Sequence, residues 1–267
     1  RVYLGFGYGL LEKMAIVPNT RRLLINYDNV VLPGTFAPST GTIEINLETW
    51  AYKILIADTD AYFLAGIDVD PEAAIYRADA AKGQIRRTNS DGTNATVWCD
   101  DVLLAPGALI PGQGVNGLTW NTKRGGLEAV NFGTGAKLFI PQDPESRLAL
   151  PVVIDHINSG DIAIGNLGHI GIDELELGPK EKYAFTAAYT TSTVLRYNLM
   201  KDPVSVQTLQ VGWIPELVQA LPTTGCADAS TVGGLFLTRL GLNNNAGALY
   251  LSKPVVAPPG SVTQKLY

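Results

Sequence analysis

Cysteine, histidine and methionine each occur only twice in this 267-residue chain. Cys99, Cys226, His156 and His169 fall into no metal-ligand spacing, which excludes a zinc cluster of the usual kind. Charge is also sparse: charged residues make up 17%, the formal net charge is −5 and the pI is near 5.1. The basic pairs Arg86-Arg87 and Lys123-Arg124 are isolated, so there is no stripe of cations to displace counterions from a nucleic acid. No apolar run approaches membrane length, since the longest, Leu148 to Ile154, is broken by Pro151. A nucleophile elbow and a Walker-type loop are both absent. The glycine groups Gly5-Phe6-Gly7-Tyr8-Gly9 and Gly112-Gln113-Gly114 precede strands rather than joining a strand to a helix, so they read as turns and not as phosphate cradles. Helical periodicity is nearly missing; only Pro215 to Leu221 suggests one or two turns.

What the chain does contain is apolar residues, 46% of the total, arranged in short runs between polar turns. Shifted by about 57 residues the chain repeats itself. Val115-Asn116-Gly117-Leu118-Thr119-Trp120 then meets Ile172-Asp173-Glu174-Leu175-Glu176-Leu177. Leu127-Glu128-Ala129-Val130-Asn131 meets Ala184-Phe185-Thr186-Ala187-Ala188, and Lys137-Leu138-Phe139-Ile140 meets Val194-Leu195-Arg196-Tyr197. Each copy is three strands that cannot bury their faces alone, so neighbouring copies must stack around a common core. Radial repetition leaves only short sheet edges, and a β-propeller is favoured over a sandwich or barrel.

Further units follow the same order. Met14 to Val17, Arg22 to Asn26 and Gly41 to Asn46 form one; Ala61 to Gly66, Ala74 to Asp79 and Thr96 to Cys99 form another; Gly234 to Thr238 with Gly247 to Leu251 form the last. Five units are readable, and a sixth is compressed or missing between Leu148 and Gly168, where Val152-Val153-Ile154 and Asp161 to Ile164 leave room for two strands. The expectation is an all-β, single-domain propeller over 1–267, most simply six-bladed, with Val2-Tyr3-Leu4 closing the last blade.

In a propeller the first strand of each blade lines the central channel, and residues just before it crowd one mouth. Glu12, Asn116 and Asp173 each stand two residues before the first apolar residue of such a strand, Met14, Leu118 and Leu175. Second-strand ends add Tyr27, Asp68, Phe132, Thr134, Tyr189 and Arg239, a mixed aromatic and polar lining suited to an organic ligand. His169, four residues before Asp173, is a candidate acid or base. Asn and Asp also cap turns through their own side chains, which is the plain alternative for any one of these positions. Asn94-Ala95-Thr96 is an N-glycosylation acceptor beside Cys99. With a possible Cys99–Cys226 disulfide it points to the secretory pathway, although no signal peptide is visible in the sequence.

The motif Asn116-Gly117-Leu118-Thr119-Trp120, the turn Asn131-Phe132-Gly133-Thr134-Gly135 and Lys137-Leu138-Phe139 resemble the gluconolactonase-like, six-bladed propeller superfamily that includes strictosidine synthase. That resemblance implies a divalent metal held by Glu12, Asn116 and Asp173 in a lactonase. The intervening blade lacks the further Asn or Asp turn, and Lys13 places a cation beside the proposed cation site. Glu12 to Asn19 and Ser192 to Tyr197 are closer to a secreted fungal branch of the superfamily. Some members resemble hetero-Diels–Alderases of tropolone sesquiterpenoid biosynthesis.

The main expectation from that resemblance is a pericyclase without metal or cofactor. It would join a quinone-methide-type, tropolone-like diene to an apolar terpene alkene by orientation and hydrogen bonding. Glu12, Asn116, Asp173 and Tyr189 would be catalytic, and Tyr27, Asp68, Phe132, Thr134, His169 and Arg239 would bind substrate. The alternatives are a divalent-metal-dependent lactonase or esterase and a non-catalytic ligand-binding propeller. Small-molecule substrates, no nucleic acid and no membrane span are expected in every case.

Overall fold

The computed structural model describes residues 10–32, 35–108, 112–157, 171–188, 193–210, 215–221, 234–239 and 249–251. Among the described residues five antiparallel sheets follow one another along the chain. The first contains β1 (Leu10–Ile16), β2 (Arg22–Leu32), β3 (Thr35–Asn46) and β4 (Tyr52–Asp58). The second contains β5 (Leu64–Val69), β6 (Ile75–Asp79), β7 (Gln84–Thr88) and β8 (Thr96–Asp100). The third is β9 (Val115–Asn121), β10 (Gly126–Asn131), β11 (Ala136–Pro141) and β12 (Val153–Ile157). The fourth is β13 (Ile172–Leu177), β14 (Tyr183–Ala188), β15 (Thr193–Asn198) and β16 (Ser205–Gln210). The fifth holds β17 (Pro215–Leu221), β18 (Gly234–Arg239) and β19 (Leu249–Leu251).

Within each sheet the strands pair in chain order, and the first strands of successive sheets touch: β1 with β5, β5 with β9, β9 with β13, β13 with β17. This is the plan of a β-propeller. The turns explain the Asn and Asp positions. Asn46, Asn121, Asn131 and Asn198 each accept backbone N–H bonds from residues two or three further on, closing the hairpin that follows. Between sheets the alternating side chains form apolar layers. Ala15, Val17, Leu24 and Ile56 of the first sheet pack on Ile67, Val69 and Ile75 of the second, whose Tyr76 and Ile85 join Leu118, Leu127 and Leu138 of the third.

Several buried charges are paired inside single sheets or at sheet contacts. Asp58 accepts from Arg77 and Arg86, while Lys137, fully buried, sits with Glu128 and Asp155, which Arg124 also binds.

Three sequence expectations are corrected. Pro215 to Leu221 is strand β17, not a helical turn, because its apolar residues pair with β18. Val153 and Ile154 belong to β12, the outer strand of the third sheet, rather than to a compressed sixth blade; they pair with Phe139 and Leu138. Four of the sheets are four-stranded rather than three-stranded. Asp161 to Ile164 and Val2 to Leu4 lie outside the described residues.

Candidate functional site

Every innermost strand breaks register with its neighbour near its start. On β1 the pairs Leu11↔Tyr27 and Met14↔Ile25 leave Glu12 and Lys13 facing Asn26 alone. On β5, Leu64↔Asp79 and Ile67↔Arg77 leave Ala65 and Gly66; on β9, Val115↔Asn131 and Leu118↔Ala129 leave Asn116 and Gly117. On β13 the extra residue is Glu174, after Asp173, and on β17 it is Glu216, after Pro215. An added residue re-aims the side chains around it and bends the strand. The first bulge position is therefore Glu12, Ala65, Asn116, Asp173 and Pro215 around the ring, and the second is Lys13, Gly66, Gly117, Glu174 and Glu216.

The bulges touch one another, which accounts for two glycines. A Cβ on Gly66 would lie 2.3 Å from the Asn116 carbonyl oxygen, and one on Gly117 would lie 2.4 Å from the Leu175 nitrogen. Neighbouring side chains hold the loops in place. Asn26 Nδ2 donates to the carbonyls of Ala65 and Gly66, at 3.2 and 3.0 Å, and the Thr186 hydroxyl donates to the carbonyls of Asp173 and Glu174. Glu174 takes a left-handed φ of 37°, and its N–H donates to Asp173 Oδ1 at 3.0 Å.

Lys13 crosses the ring. From the first sheet its Nζ donates to the carbonyls of Leu118 and Leu175, at 2.8 and 2.6 Å, and lies 3.4 Å from Glu174 Oε2. Its side chain is 9% exposed. Burial pulls the lysine pKa down, but the carboxylates of Glu174, Glu176 and Asp68 outweigh that and hold it above the ordinary value. Next to Lys13 lies a cavity of about 330 Å³, walled by Asp68 and Glu176 and by the apolar Met14, Ile16, Leu23 and Ile67.

The predicted residues divide into groups. Glu12, Asn116 and Asp173 share one bulge level on the first, third and fourth sheets; Glu12 and Asp173 are half-buried and Asn116 is 6% exposed. Phe132 and Thr134 form the turn after β10, at the end of the sheet where β9 starts. Thr134 is exposed and Phe132 half-buried. Tyr27 is 5% exposed and packs with Ile25, Ile43 and Ile45, so it serves the core of the first sheet rather than an open wall. Asp68 stands on the inner strand β5, not at a second-strand end; its Oδ2 accepts from the Thr119 hydroxyl at 2.9 Å and the Trp120 N–H at 2.7 Å, tying the second sheet to the third. Arg239 ends β18 opposite Pro215. His169 and Tyr189 lie outside the described residues.

Cys99 is a buried free thiol on β8 within the apolar layer of the second and third sheets, so the expected disulfide is not formed from it; Cys226 lies outside the described residues. Asn94 is exposed in the loop before β8. His156 is on β12 itself, edge-on to Tyr197 at 6.0 Å, rather than in a loop.

Two residues at this end of the molecule carried no sequence signal of their own. Asp28, 1% exposed on β2 opposite Leu10, accepts the Leu64 N–H at 3.1 Å. Burial, aided by nearby Asp79, pushes its carboxyl up to about 7. Lys13 was visible only as a neighbour of Glu12; its reach to the third and fourth sheets needs the ring.

A carboxylate, an amide oxygen and a second carboxylate are the hard donors that Ca²⁺ or Mg²⁺ takes, so Glu12, Asn116 and Asp173 fit a divalent cation in kind. Ala65 and Pro215 add no donor at the same level. Among the described residues no three His, Cys, Asp or Glu side chains group to hold a metal by themselves, so the Asn116 amide is essential to such a site.

No protein-family model and no curated protein matches the sequence. Solved structures do match in fold. A gluconolactonase from Xanthomonas campestris superposes with TM-score 0.61 at 12% identity, over 91% of this chain and 72% of that one. The periplasmic gluconolactonase of Pseudomonas aeruginosa gives 0.57 at 14%, over 91% and 71%. The nidogen/laminin complex gives 0.61 at 14%, over 87% and 73%. At these identities the likeness shows the propeller fold. No helix among the described residues is long and apolar enough to cross a membrane.

Proposed function

We propose that the chain is a hydrolase of small lactones or esters, working at the channel mouth with a divalent cation held by Glu12, Asn116 and Asp173. The observation that carries this is the placing of three oxygen donors at one bulge level on three inner strands. The gluconolactonases among the fold relatives support the same reading. When bound, the cation would polarise the substrate carbonyl and acidify a water. Water adds to the carbonyl carbon, the acyl C–O bond breaks, and the leaving oxygen takes a proton. Glu12 or Asp173, the carboxylates of the proposed donor set, would carry that proton. Phe132 and Thr134 at the rim would contact the rest of the substrate.

The test is hydrolysis of a panel of five- and six-membered lactones and aryl esters, before and after chelation. Chelation should abolish turnover, a divalent ion should restore it, and Asn116→Ala should remove it. Turnover indifferent to both chelator and Asn116→Ala would refute the assignment.

One observation favours a second reading. The Lys13 ammonium, paired with Glu174, is a polar group at the bulge level that needs no metal, as the cofactor-free hetero-Diels–Alder reaction of a tropolone-like quinone methide with a terpene alkene would use. Stereoselective cycloadduct formed in metal-free buffer would select it. Residues 1–267 are taken as one domain. The exposed Asn94 acceptor and the periplasmic location of one fold relative support an extracytoplasmic protein, which a glycosidase-sensitive mass at Asn94 would test.

A further inference from the structure

The atoms gripped by Lys13 stand in a fixed relation to the three donors. Its own chain neighbour is Glu12. The carbonyl of Leu118 lies two residues beyond Asn116, and that of Leu175 lies two residues beyond Asp173. Its ion pair is with Glu174, the bulge residue that follows Asp173. One ammonium thus reaches every inner strand that bears a donor, each within two residues of it. Two directed hydrogen bonds and the ion pair with Glu174 hold the ammonium between these strands.

Other contacts at this level join neighbouring sheets: Gly66 to Asn116, and Gly117 to Leu175 and Glu174. Strand pairing acts within one sheet, so it does not by itself set the separation between Glu12 on the first sheet and the donors on the third and fourth.

We propose that Lys13 is a positioning residue that clamps the first, third and fourth inner strands and so sets the spacing of Glu12, Asn116 and Asp173 around a bound cation. The proposal rests on the metal-site reading above. It also makes a prediction of unusual sign. By Coulomb's law alone, deleting a positive charge beside a cation site tightens cation binding. A clamp does the opposite, because loss of a supporting residue behind metal ligands weakens affinity by about 10- to 100-fold.

The experiment measures Tb³⁺ luminescence titrations on chelator-treated wild type, Asn116→Ala, Lys13→Met and Lys13→Ala, with folding checked by circular dichroism. Wild type should bind, Asn116→Ala should bind weakly, and Lys13→Met should lose about tenfold or more. If Lys13→Met fails to fold, Lys13→Ala decides the matter: 1-propylammonium, which can occupy the vacated stem and restore the ammonium, should recover Tb³⁺ affinity, whereas 1-propanol should not. Lys13→Met binding Tb³⁺ as tightly as wild type or more so, with Asn116→Ala still weak, overturns the clamp and leaves the metal site standing. Recovery by propanol equal to that by propylammonium also overturns it, since packing rather than charge would then be the cause. A wild type that binds no Tb³⁺ overturns the metal-site reading and this proposal together.

Discussion

The contact between β9 and β13 offers the sharpest test of how the ring is packed. At Gly117 an added Cβ would meet the Leu175 nitrogen at 2.4 Å, the Glu174 carbonyl carbon at 2.5 Å and the Glu174 Cα at 2.6 Å. All three are backbone atoms, so no rotamer change relieves the overlap. Ordinary contact needs about 3.5 Å, and the two strands must part by about 1 Å. Overpacking of this kind costs about 1–3 kcal/mol, and rigid backbone on both sides argues for the upper part of that range. Alanine recovers about 0.4–1 kcal/mol through a less flexible unfolded chain, which leaves Gly117→Ala destabilised by about 2 kcal/mol.

For a chain of this size that is a fall of about 4–8 °C in Tm. Gly125→Ala is the control: Gly125 has open space around it and a left-handed φ of 66°, so only conformational strain of about 1–2 kcal/mol applies. Urea unfolding with unchanged slope is the assay for both. The two variants differ most at the site, because parting β9 from β13 separates Asn116 from Asp173 and a displacement near 1 Å costs about 100-fold in rate. Gly117→Ala should therefore lose lactone turnover where Gly125→Ala keeps it. A Gly117→Ala protein within about 0.5 kcal/mol of wild type and fully active refutes the packing argument.

Asp28 should make stability fall as pH rises. Its carboxyl, raised to about 7 in the folded state by burial first and Asp79 second, holds a proton there that the unfolded chain has released above about pH 4. The stabilisation is complete below the unfolded pKa and is lost on going up through about 7, on the order of 4 kcal/mol at the extreme. Asp28→Asn keeps an acceptor for the Leu64 N–H and should flatten the urea-midpoint profile between pH 5 and 8; a variant profile as steep as wild type would rule Asp28 out as its source. Lys137→Met should cost about 3–5 kcal/mol by leaving Glu128 and Asp155 buried with one fewer cation. Adding Glu128→Leu should recover part of that, and a Lys137→Met protein of wild-type stability would contradict it. The Cys99 thiol, pushed up to about 12 by burial first and then by Asp101 and Asp100, should resist iodoacetamide in the native protein and react only in denaturant; mass spectrometry of the Cys99 peptide decides this.

The inner and second strands of the second and third sheets were legible because both of their faces are covered. Leu118, Leu127 and Leu138 on one side of the third sheet, and Leu175, Ala184 and Leu195 on the same side of the fourth, recur at the 57-residue offset because each performs the same packing task. Of the outer strands, β8 was legible as Thr96 to Cys99, whereas β4 was not read and β12 was assigned to a compressed sixth blade. Tyr52 and Ile54 on β4 and Val153 and Ile154 on β12 are exposed, so no burial constraint sharpens their pattern. The segment 215–221 was misread because Leu217, Val218, Ala220 and Leu221 also fit a helical stripe, and only pairing with β18 decides between the two periods.

The site was legible to the same depth, and for a related reason. The offset that aligns Asn116 with Asp173 also aligns Gly117 with Glu174, a mismatch of a bare backbone against a charge that no repeat argument resolves. In the ring the mismatch has a cause. The second bulge position is glycine on β5 and β9, where the next bulge presses against it. It is charged on β1 and β13, where Lys13 and Glu174 meet across the channel instead. Conserving one register position thus demands opposite chemistry at different places around the circle: close approach for adjacent strands, and a long ion-paired side chain for strands that are not adjacent. A periodic reading detects what repeats; Lys13 carries its meaning by being the position that does not, and the donors beside it depend on that departure for their spacing.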